Sequence, residues 1–171
     1  MNEELLDIVN KKGETVKTLP RSEIHGDPSL LHKVVHVIVF NSKGDLLLQK
    51  RSMNKDVAPG KWDTSIGGHV GANETIDAAL KRESEEELGI KKCTFNFLYT
   101  YIHSNEYESE LVYTYQCIYD GKIDYQKDEI DEVRPWSMEE IKINIGKETL
   151  SDNFEHEFKT YMNHIRSDPA P

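Results

Sequence analysis

The stretch from Gly67 to Ile90 constrains this chain most, because it joins a glycine-rich turn to a helix that carries acids on its buried side. At about 100° per residue, one side of this predicted helix begins as an apolar stripe. The stripe consists of Ile76, Ala79 and Leu80. Glu83 and Glu87 continue along it, with Glu86 near its edge. The face that starts as a packing surface therefore ends as carboxylates.

Acidic residues normally lie on the exposed side of an amphipathic helix, as Glu85 would here. Two glutamates at i and i+4 also repel each other, at a cost on the order of a few tenths of a kcal/mol. Something cationic is therefore expected against this face. Carboxylate oxygens at i, i+3 and i+4 suit Mg2+ or Mn2+, which prefer oxygen ligands and bridge proteins to phosphates. The spacing predicts that Glu83, Glu86 and Glu87 bind such an ion, although a solvated acidic helix ended by a glycine is the plainer alternative.

Residues on both sides of the acids fit a metal site. Arg82 stands one turn before Glu86, where it can hold that side chain and offset part of the repulsion. The turn before the helix can bend tightly at Gly67, Gly68 and Gly71. Asn73 is the expected N-cap of the helix, and Gly89 is expected to end it.

This stretch resembles the Nudix box, Gly-x5-Glu-x7-Arg-Glu-U-x-Glu-Glu-x-Gly-U, in which U is aliphatic. The fixed positions are Gly68, Glu74, Arg82, Glu83, Glu86, Glu87, Gly89 and Ile90. Ser84 departs from the pattern at an aliphatic position, which should weaken helix packing rather than the ligand set. The resemblance implies the Nudix fold, an α/β/α sandwich with a mixed β-sheet. It also implies that the Gly67 carbonyl joins the metal ligands, that Arg82 orients them, and that Glu74 supports the loop or a metal-bound water.

Composition is typical of one compact catalytic domain. The 171 residues are 37% hydrophobic and 30% charged, with a net charge of -10. That charge argues against a nucleic-acid surface but allows a small phosphorylated ligand if metal ions screen the acids. Cys93 and Cys117 lack a metal-type spacing and are expected to be reduced thiols. The start MNEELLDIVN does not resemble a signal peptide, and no run approaches about 18 apolar residues, so we expect a cytoplasmic protein without a membrane span.

Hydrophobic periodicity and turn residues predict the order of elements. The predicted strands are 7–10, 14–19, 31–40, 45–50, 63–66, 93–102, 110–119 and 132–136. The predicted helices are the box helix, a short helix after the capping box at 137–140, and 153–165. Strands 31–40 and 45–50 are expected at the centre of the sheet. We expect residues 1–30 to form an N-terminal hairpin and a connection, 31–166 the Nudix domain, and 167–171 a disordered tail.

A second set of residues is similar to the type I isopentenyl-diphosphate isomerases, a branch of the Nudix fold. In that branch two N-terminal histidines, the histidine of a Gly-His step and a Glu-x-Glu pair bind a divalent metal. The corresponding residues are His25, His32, His69, Glu108 and Glu110. The similarity covers residues 25–119, and it places Arg51 and Lys55 where the branch contacts the diphosphate, as expected of donors that face phosphate oxygens.

Four of these residues also have a purely structural interpretation. His69 beside the box glycines is as consistent with loop packing as with a metal or phosphate contact. His25 lies in a loop with Gly26-Asp27-Pro28, and we favour a structural role for it. Glu108 and Glu110 are compatible with a solvated loop end. No role is assigned to the remaining histidines, which are His36, His103, His156 and His164.

The residue at position 67 distinguishes isomerisation from hydrolysis. The isomerases use a cysteine immediately before the Gly-His step to handle a proton, and this chain has Gly67 there. The isomerases also have a degraded box, whereas the three box acids remain here. We therefore predict an isomerase-like hydrolase that uses Mg2+ or Mn2+ to cleave a diphosphate linkage in a nucleoside-diphosphate-like or other X-diphosphate substrate. The alternatives are an isopentenyl-diphosphate isomerase and a non-catalytic nucleotide-binding module.

Two properties stay open at the level of sequence. The general base could be Glu86 or Glu87 acting through a water, or a loop residue such as Glu108, Glu110 or Glu129. A homodimer is compatible with the family, in which pairing is frequent. A small phosphorylated molecule is the expected partner.

Overall fold

The longest apolar run of the chain becomes its central strand in the computed structural model, which describes residues 3–168. In chain order the elements are β1 (Leu5–Val9), β2 (Thr15–Pro20), α1 (Arg21–Ile24), β3 (Leu31–Phe40), β4 (Leu46–Arg51), β5 (Trp62–Asp63), β6 (Ile66–His69), α2 (Ile76–Leu88), β7 (Asn96–Ser104), β8 (Ser109–Ile118), β9 (Ile130–Trp136), α3 (Met138–Asn144) and α4 (Asp152–Ser167). The predicted strands and helices are confirmed in type and order, with boundaries that differ by a few residues, except for the single strand predicted at 63–66, which forms two short strands, β5 and β6. The short helix α1 was not predicted.

Strand β3 organises a mixed sheet. It runs parallel to β8 from the pair Leu31↔Ser109 to the pair Phe40↔Ile118, and antiparallel to β6. It also contacts β1 through the pair Ile8↔His32. β3 is therefore an internal strand, and because helices cover both of its faces, its sequence is a nearly continuous hydrophobic run.

The expected pairing of β3 with β4 at the centre of the sheet is wrong over most of its length. The two strands share the pair Phe40↔Leu46 next to their connecting turn. Beyond that turn β4 pairs with β9 and β5. Its apolar side chains Leu46 and Leu48 pack in a cluster with Trp62 of β5 and Trp136 of β9.

Alternation along β3 builds the two layers of the core. Val35, Val37 and Val39 pack with Ala79, Leu80 and Leu88 of α2. Ile38 points to the other face, where Phe154 and Phe158 of α4 lie. The sheet is thus enclosed by α2 on one side and by α3 and α4 on the other, which is the predicted α/β/α arrangement.

The N-terminal part of the described chain is a hairpin that joins the sheet, whereas the C-terminal part is helix α4. The predicted N-terminal hairpin is formed by β1 and β2, and an isolated bridge between Leu6 and Gly71 ties it to the turn before α2. The expected connection contains the single-turn helix α1. At the other end, Ser167 closes α4, and residues 169–171 of the expected tail lie outside the described residues. Between residues 3 and 168, no helix has both the length and the apolar character needed to cross a membrane.

Candidate active site

Helix α2 begins two residues later than expected. Asn73, the predicted N-cap, has a φ of 61° and belongs to the preceding turn. Thr75 caps the helix instead, because its side-chain oxygen accepts a hydrogen bond from the Ala78 N–H at 3.2 Å. Gly89 ends the helix in the left-handed conformation, as predicted, with a φ of 69°.

The three box acids line one cavity of about 580 Å3, together with Gly67 and Gly68. Glu83 is buried with 8% of its surface exposed, whereas the Glu86 side chain is 54% exposed. Glu87 is partly buried, and one of its oxygens accepts hydrogen bonds from the Gly67 N–H and from Gln49, both at 3.0 Å. The helix thus carries its acids into the cavity in the order that the periodicity predicts.

Burial acts strongly on two of these acids. Desolvation raises the pKa of Glu87 to about 8, and the charge of Glu83 adds to the effect. Desolvation also raises the pKa of Glu83, despite its hydrogen bond and attraction to Arg82. Both carboxylates are therefore costly to ionise without a further cation, and their oxygens are of the type that Mg2+ and Mn2+ prefer.

Arg82 ties the acids to the turn before the helix. Its Nε and Nη2 atoms donate to Glu74 at 2.8 and 2.9 Å, and Nη2 also donates to the His69 carbonyl at 2.9 Å. Its Nη1 donates to Glu83 and, at 3.2 Å, to Glu86. Glu74 in turn accepts from a backbone N–H of the turn, that of Gly71, at 2.8 Å. Glu74 lies behind Arg82 and supports the turn.

A glycine is required at position 68 because the Glu83 side chain lies very close to its backbone, not because its backbone adopts an unusual conformation. A side-chain carbon at this position would overlap the Glu83 carboxylate. The second glycine of the box turn therefore leaves the space that the first box acid occupies.

The predicted diphosphate contacts line the same cavity, Arg51 at the end of β4 and Lys55 on the loop that follows. Arg51 is held by the Val57 carbonyl, to which its Nε donates at 2.8 Å, and by Asp63 at 3.3 Å. The Lys55 ammonium lies 2.7 Å from a carboxylate oxygen of Glu129. The structure thus brings Glu129 to the cavity as well, with Lys55 as its partner.

The second predicted set converges where three strands meet. His32 of β3 pairs directly with Glu110 of β8, and the pair Val34↔His69 brings the end of β6 alongside. Potential ligand atoms of His32, Glu108 and Glu110 lie within 4.8 Å of one another, as do those of His25, His32 and His69. The loop that holds His25 folds back so that the His25 Nε2 lies 3.6 Å from Glu108, beside the other residues of this set. The structural role favoured for His25 stays a prediction.

The electrostatics of this histidine–glutamate cluster resemble those of the box acids. Burial raises the pKa of Glu108 to about 7, with a further contribution from Glu110. Burial also lowers the pKa of His25 to about 4, so its ring is neutral at pH 7. The Nε2 atoms of His25 and His32 are buried and have no hydrogen-bond partner among residues 3–168. Neutral imidazoles beside carboxylates fit a divalent cation.

His36, to which the sequence analysis gave no role, also lines the cavity. It pairs with Gly67 across β3 and β6, is 5% exposed, and its Nδ1 lies 2.7 Å from Glu157 of α4. A sequence signal for this contact exists in retrospect. Glu157 interrupts the apolar stripe of α4 between Phe154 and Phe158, as Glu83 and Glu87 interrupt that of α2.

Comparison with known proteins agrees with this geometry. The NUDIX domain family matches residues 30–156. "Nudix hydrolase 3" of Arabidopsis thaliana is 39% identical over 125 residues, which cover 71% of this chain and 15% of that protein. The "Uncharacterized Nudix hydrolase YfcD" of Escherichia coli K12 is 31% identical over 138 residues, which cover 81% of this chain and 76% of the relative.

A solved structure supports the same assignment. The crystal structure of DR0079 from Deinococcus radiodurans superimposes with a TM-score of 0.77 at 25% identity, covering 92% of this chain and 98% of the other. Family match, relatives and fold agree with the box residues and their cavity, and the chain therefore belongs to the Nudix hydrolase family.

Proposed function

We propose that this protein hydrolyses a diphosphate linkage with the help of Mg2+ or Mn2+. The observation that carries the proposal is the convergence of Glu83, Glu86 and Glu87 on one cavity that Arg51 and Lys55 also line. Acids gather there at a cost that only a cation offsets, and guanidinium and ammonium groups are the usual donors to phosphate oxygens.

The box residues and the two basic residues of the cavity have separate proposed tasks. Glu83, Glu86, Glu87 and the Gly67 carbonyl would hold the metal, and Arg82 would fix Glu83 and Glu86 in place. Arg51 and Lys55 would bind the diphosphate. A bound Mg2+ or Mn2+ supplies Lewis acidity, which lowers the pKa of a coordinated water and neutralises charge on phosphate oxygens.

The candidate general bases differ in how free they are to accept a proton. Glu129 is the weakest, because Lys55 holds one of its oxygens at 2.7 Å. Glu110 accepts a hydrogen bond from Asn153 at 3.1 Å. Glu86 is exposed and therefore open to a water molecule. Burial raises the pKa of Glu108 to about 7, which suits a base at neutral pH when Glu108 does not bind a cation.

The cavity favours a substrate with a polar group attached to the diphosphate. Among its described lining residues, the apolar side chains are Val34, Val57 and Ala58, and the remaining ones are charged, polar or glycine. An isoprenoid chain would find little apolar surface there. This lining, together with Gly67 in place of a cysteine, supports hydrolysis of a nucleoside-diphosphate-like or related compound over isomerisation of an isoprenoid diphosphate.

The histidine–glutamate cluster supports a relationship to the isomerase-like branch. We propose that His25, His32, His69, Glu108 and Glu110 hold a second divalent cation at the cavity. This chain would then combine the second metal site of that branch with the box acids of the hydrolases. A homodimer and a cytoplasmic location are further expectations, which sedimentation and cell fractionation would test.

The decisive experiment measures release of phosphate from a panel of diphosphate compounds with Mg2+ or Mn2+, after treatment with phosphatase where needed. Glu86→Gln and Glu87→Gln should reduce turnover by several orders of magnitude, whereas Glu85→Gln on the exposed face of α2 should not. Equal rates in all three variants would overturn the ligand assignment. Incubation with isopentenyl diphosphate in D2O tests the alternative, and incorporation of deuterium would favour the isomerase.

A further inference from the structure

A buried glutamine on β4 contacts one of the box acids. Gln49 is 6% exposed and lines the cavity. Its Nε2 atom donates to the Ser65 carbonyl at 3.1 Å and to Oε2 of Glu87 at 3.0 Å. Because a primary amide carries two N–H hydrogens, these two contacts use both of them. The Gln49 amide is therefore fixed between a backbone carbonyl and the Glu87 carboxylate.

The hydrogen bonds to the Glu87 side chain all go to one of its two oxygens. Oε2 accepts from Gln49 and, also at 3.0 Å, from the Gly67 N–H. Within residues 3–168, Oε1 accepts no hydrogen bond. The two donors come from different strands, β4 and β6, and reach the same atom. They hold the carboxylate by one oxygen and leave the other free for a ligand in the cavity that Glu87 lines.

Ser65 gives the glutamine a rigid support. It lies between β5 and β6 and is 1% exposed. Its hydroxyl accepts from the Val39 N–H of β3 at 3.0 Å and donates to the Leu47 carbonyl of β4. These bonds connect the two strands just beyond the pair that they share next to their turn. The residue that anchors Gln49 is thus itself fixed to both strands.

An uncharged donor suits this position better than a charged one. A lysine could also donate to a carboxylate, but its charge would cancel that of Glu87 and repel a cation in the cavity. An amide donates a hydrogen bond without adding charge. It can therefore fix the direction of the carboxylate while the negative charge remains available to a metal ion.

We propose that Gln49 is a positioning residue for the metal site, which holds Oε2 of Glu87 and so keeps Oε1 available to Mg2+ or Mn2+. This inference rests on the proposed metal-dependent hydrolysis. Donors that orient the ligands of a metal ion contribute to its affinity, typically by about tenfold to a hundredfold. The box motif does not include this donor, because Gln49 lies 38 residues before Glu87 in the chain.

The first test measures metal affinity in the absence of substrate. Gln49→Met removes both N–H donors and keeps nearly the same side-chain length. Electron paramagnetic resonance of the free ion gives the affinity for Mn2+, which should fall roughly tenfold to a hundredfold in this variant. Gln116→Met is the matched control, because Gln116 is a partly buried glutamine on β8 that does not line the cavity. The control should bind Mn2+ as the unmodified protein does.

A second substitution shows whether the effect acts through Glu87. The Mn2+ concerned is the one that Glu87→Gln binds more weakly, which separates it from any ion at the histidine–glutamate cluster. The double variant with Gln49→Met should bind this Mn2+ no more weakly than Glu87→Gln alone, because the ligand that Gln49 orients is already lost. A purely structural role would lower the stability in urea and leave the Mn2+ affinity unchanged.

A shorter amide keeps the test decisive if Gln49→Met does not fold. Gln49→Asn retains the polar group, but its side chain is one methylene too short to reach both Ser65 and Glu87. It should also bind Mn2+ more weakly, and an unchanged affinity would contradict the inference.

The outcomes distinguish this inference from the proposed function. Suppose that the unmodified protein binds Mn2+ and hydrolyses diphosphates. If the folded Gln49 variant then has an unchanged Mn2+ affinity, or loses affinity equally with and without Glu87, the role of Gln49 is overturned alone. If the unmodified protein neither binds Mn2+ through Glu87 nor hydrolyses any diphosphate, the proposed function falls and the role of Gln49 falls with it.

Discussion

Replacing Glu87 with glutamine should stabilise the metal-free protein and weaken its response to metal. Glu87 accepts hydrogen bonds from the Gly67 N–H and from Gln49 on a single oxygen. A glutamine can keep those bonds through its amide oxygen. The substitution therefore removes the charge with little change in shape.

The size of the effect follows from the pKa of the side chain. In the folded chain the pKa of Glu87 is about 8, against 4.5 for an unperturbed glutamate. Each pKa unit is worth about 1.4 kcal/mol. The unfolded chain binds fewer protons than the folded chain between these two values, so the stability of the protein falls as pH rises through this range. The resulting loss is roughly 1 kcal/mol at pH 5 and roughly 3 kcal/mol at pH 7.

Urea denaturation in EDTA at several pH values measures this loss. The free energy of unfolding of Glu87→Gln should exceed that of the unmodified protein by an amount that increases from pH 5 to pH 8. Glu85→Gln is the matched control, since Glu85 lies on the exposed face of the same helix. Saturating Mn2+ should stabilise the unmodified protein by about 2.7 kcal/mol at a hundredfold excess over Kd, and Glu87→Gln by clearly less.

Two results would refute this reasoning. In one, Glu87→Gln is no more stable than Glu85→Gln in EDTA at pH 8, which would mean that burial does not penalise the charge. In the other, Mn2+ stabilises both variants equally, which would mean that the carboxylate does not hold the ion.

Three further predictions concern single side chains. Ser84 is fully buried and its hydroxyl has no partner among residues 3–168, so Ser84→Ala should raise the free energy of unfolding by about 1 kcal/mol in urea denaturation. Gly68→Ala should displace the Glu83 carboxylate and lower kcat/KM about a hundredfold, and a normal rate would show that Glu83 needs no fixed position. His32→Gln should remove one bound Mn2+ in calorimetric titration, whereas an unchanged stoichiometry would exclude a second site at the histidine–glutamate cluster.

Local patterns were sufficient wherever one segment determined its own structure. The run 31–40 became β3 with the predicted bounds, because a continuous apolar run of that length must be covered on both faces. Ser137 caps α3 as expected by accepting from the Glu140 N–H at 3.0 Å. The cap of α2 was misplaced because Asn73 and Thr75 are both good capping residues, and only the turn conformation chooses between them.

Patterns were insufficient where two distant segments had to meet. The position of His25 beside Glu108 could not be predicted, since nothing in the sequence of its loop shows that the loop folds back to that residue. Strand β4 was placed beside β3 because they are joined by a short turn, whereas partners from later in the chain, β5 and β9, compete for its edges. These outcomes depend on which strand edges remain free once the sheet has formed.

The sequence by itself determined the acidic face of α2, because helical periodicity and glycine positions act within a few turns of chain. The box motif indicated the family, and the resemblance to that family implied the α/β/α architecture. Only the tertiary structure decided that Glu157 contacts His36 and that Gly67 lies beside the ring. Those contacts join α4, β3 and β6, and both the burial of these groups and the hydrogen bonds that offset it exist only after the three elements have packed together.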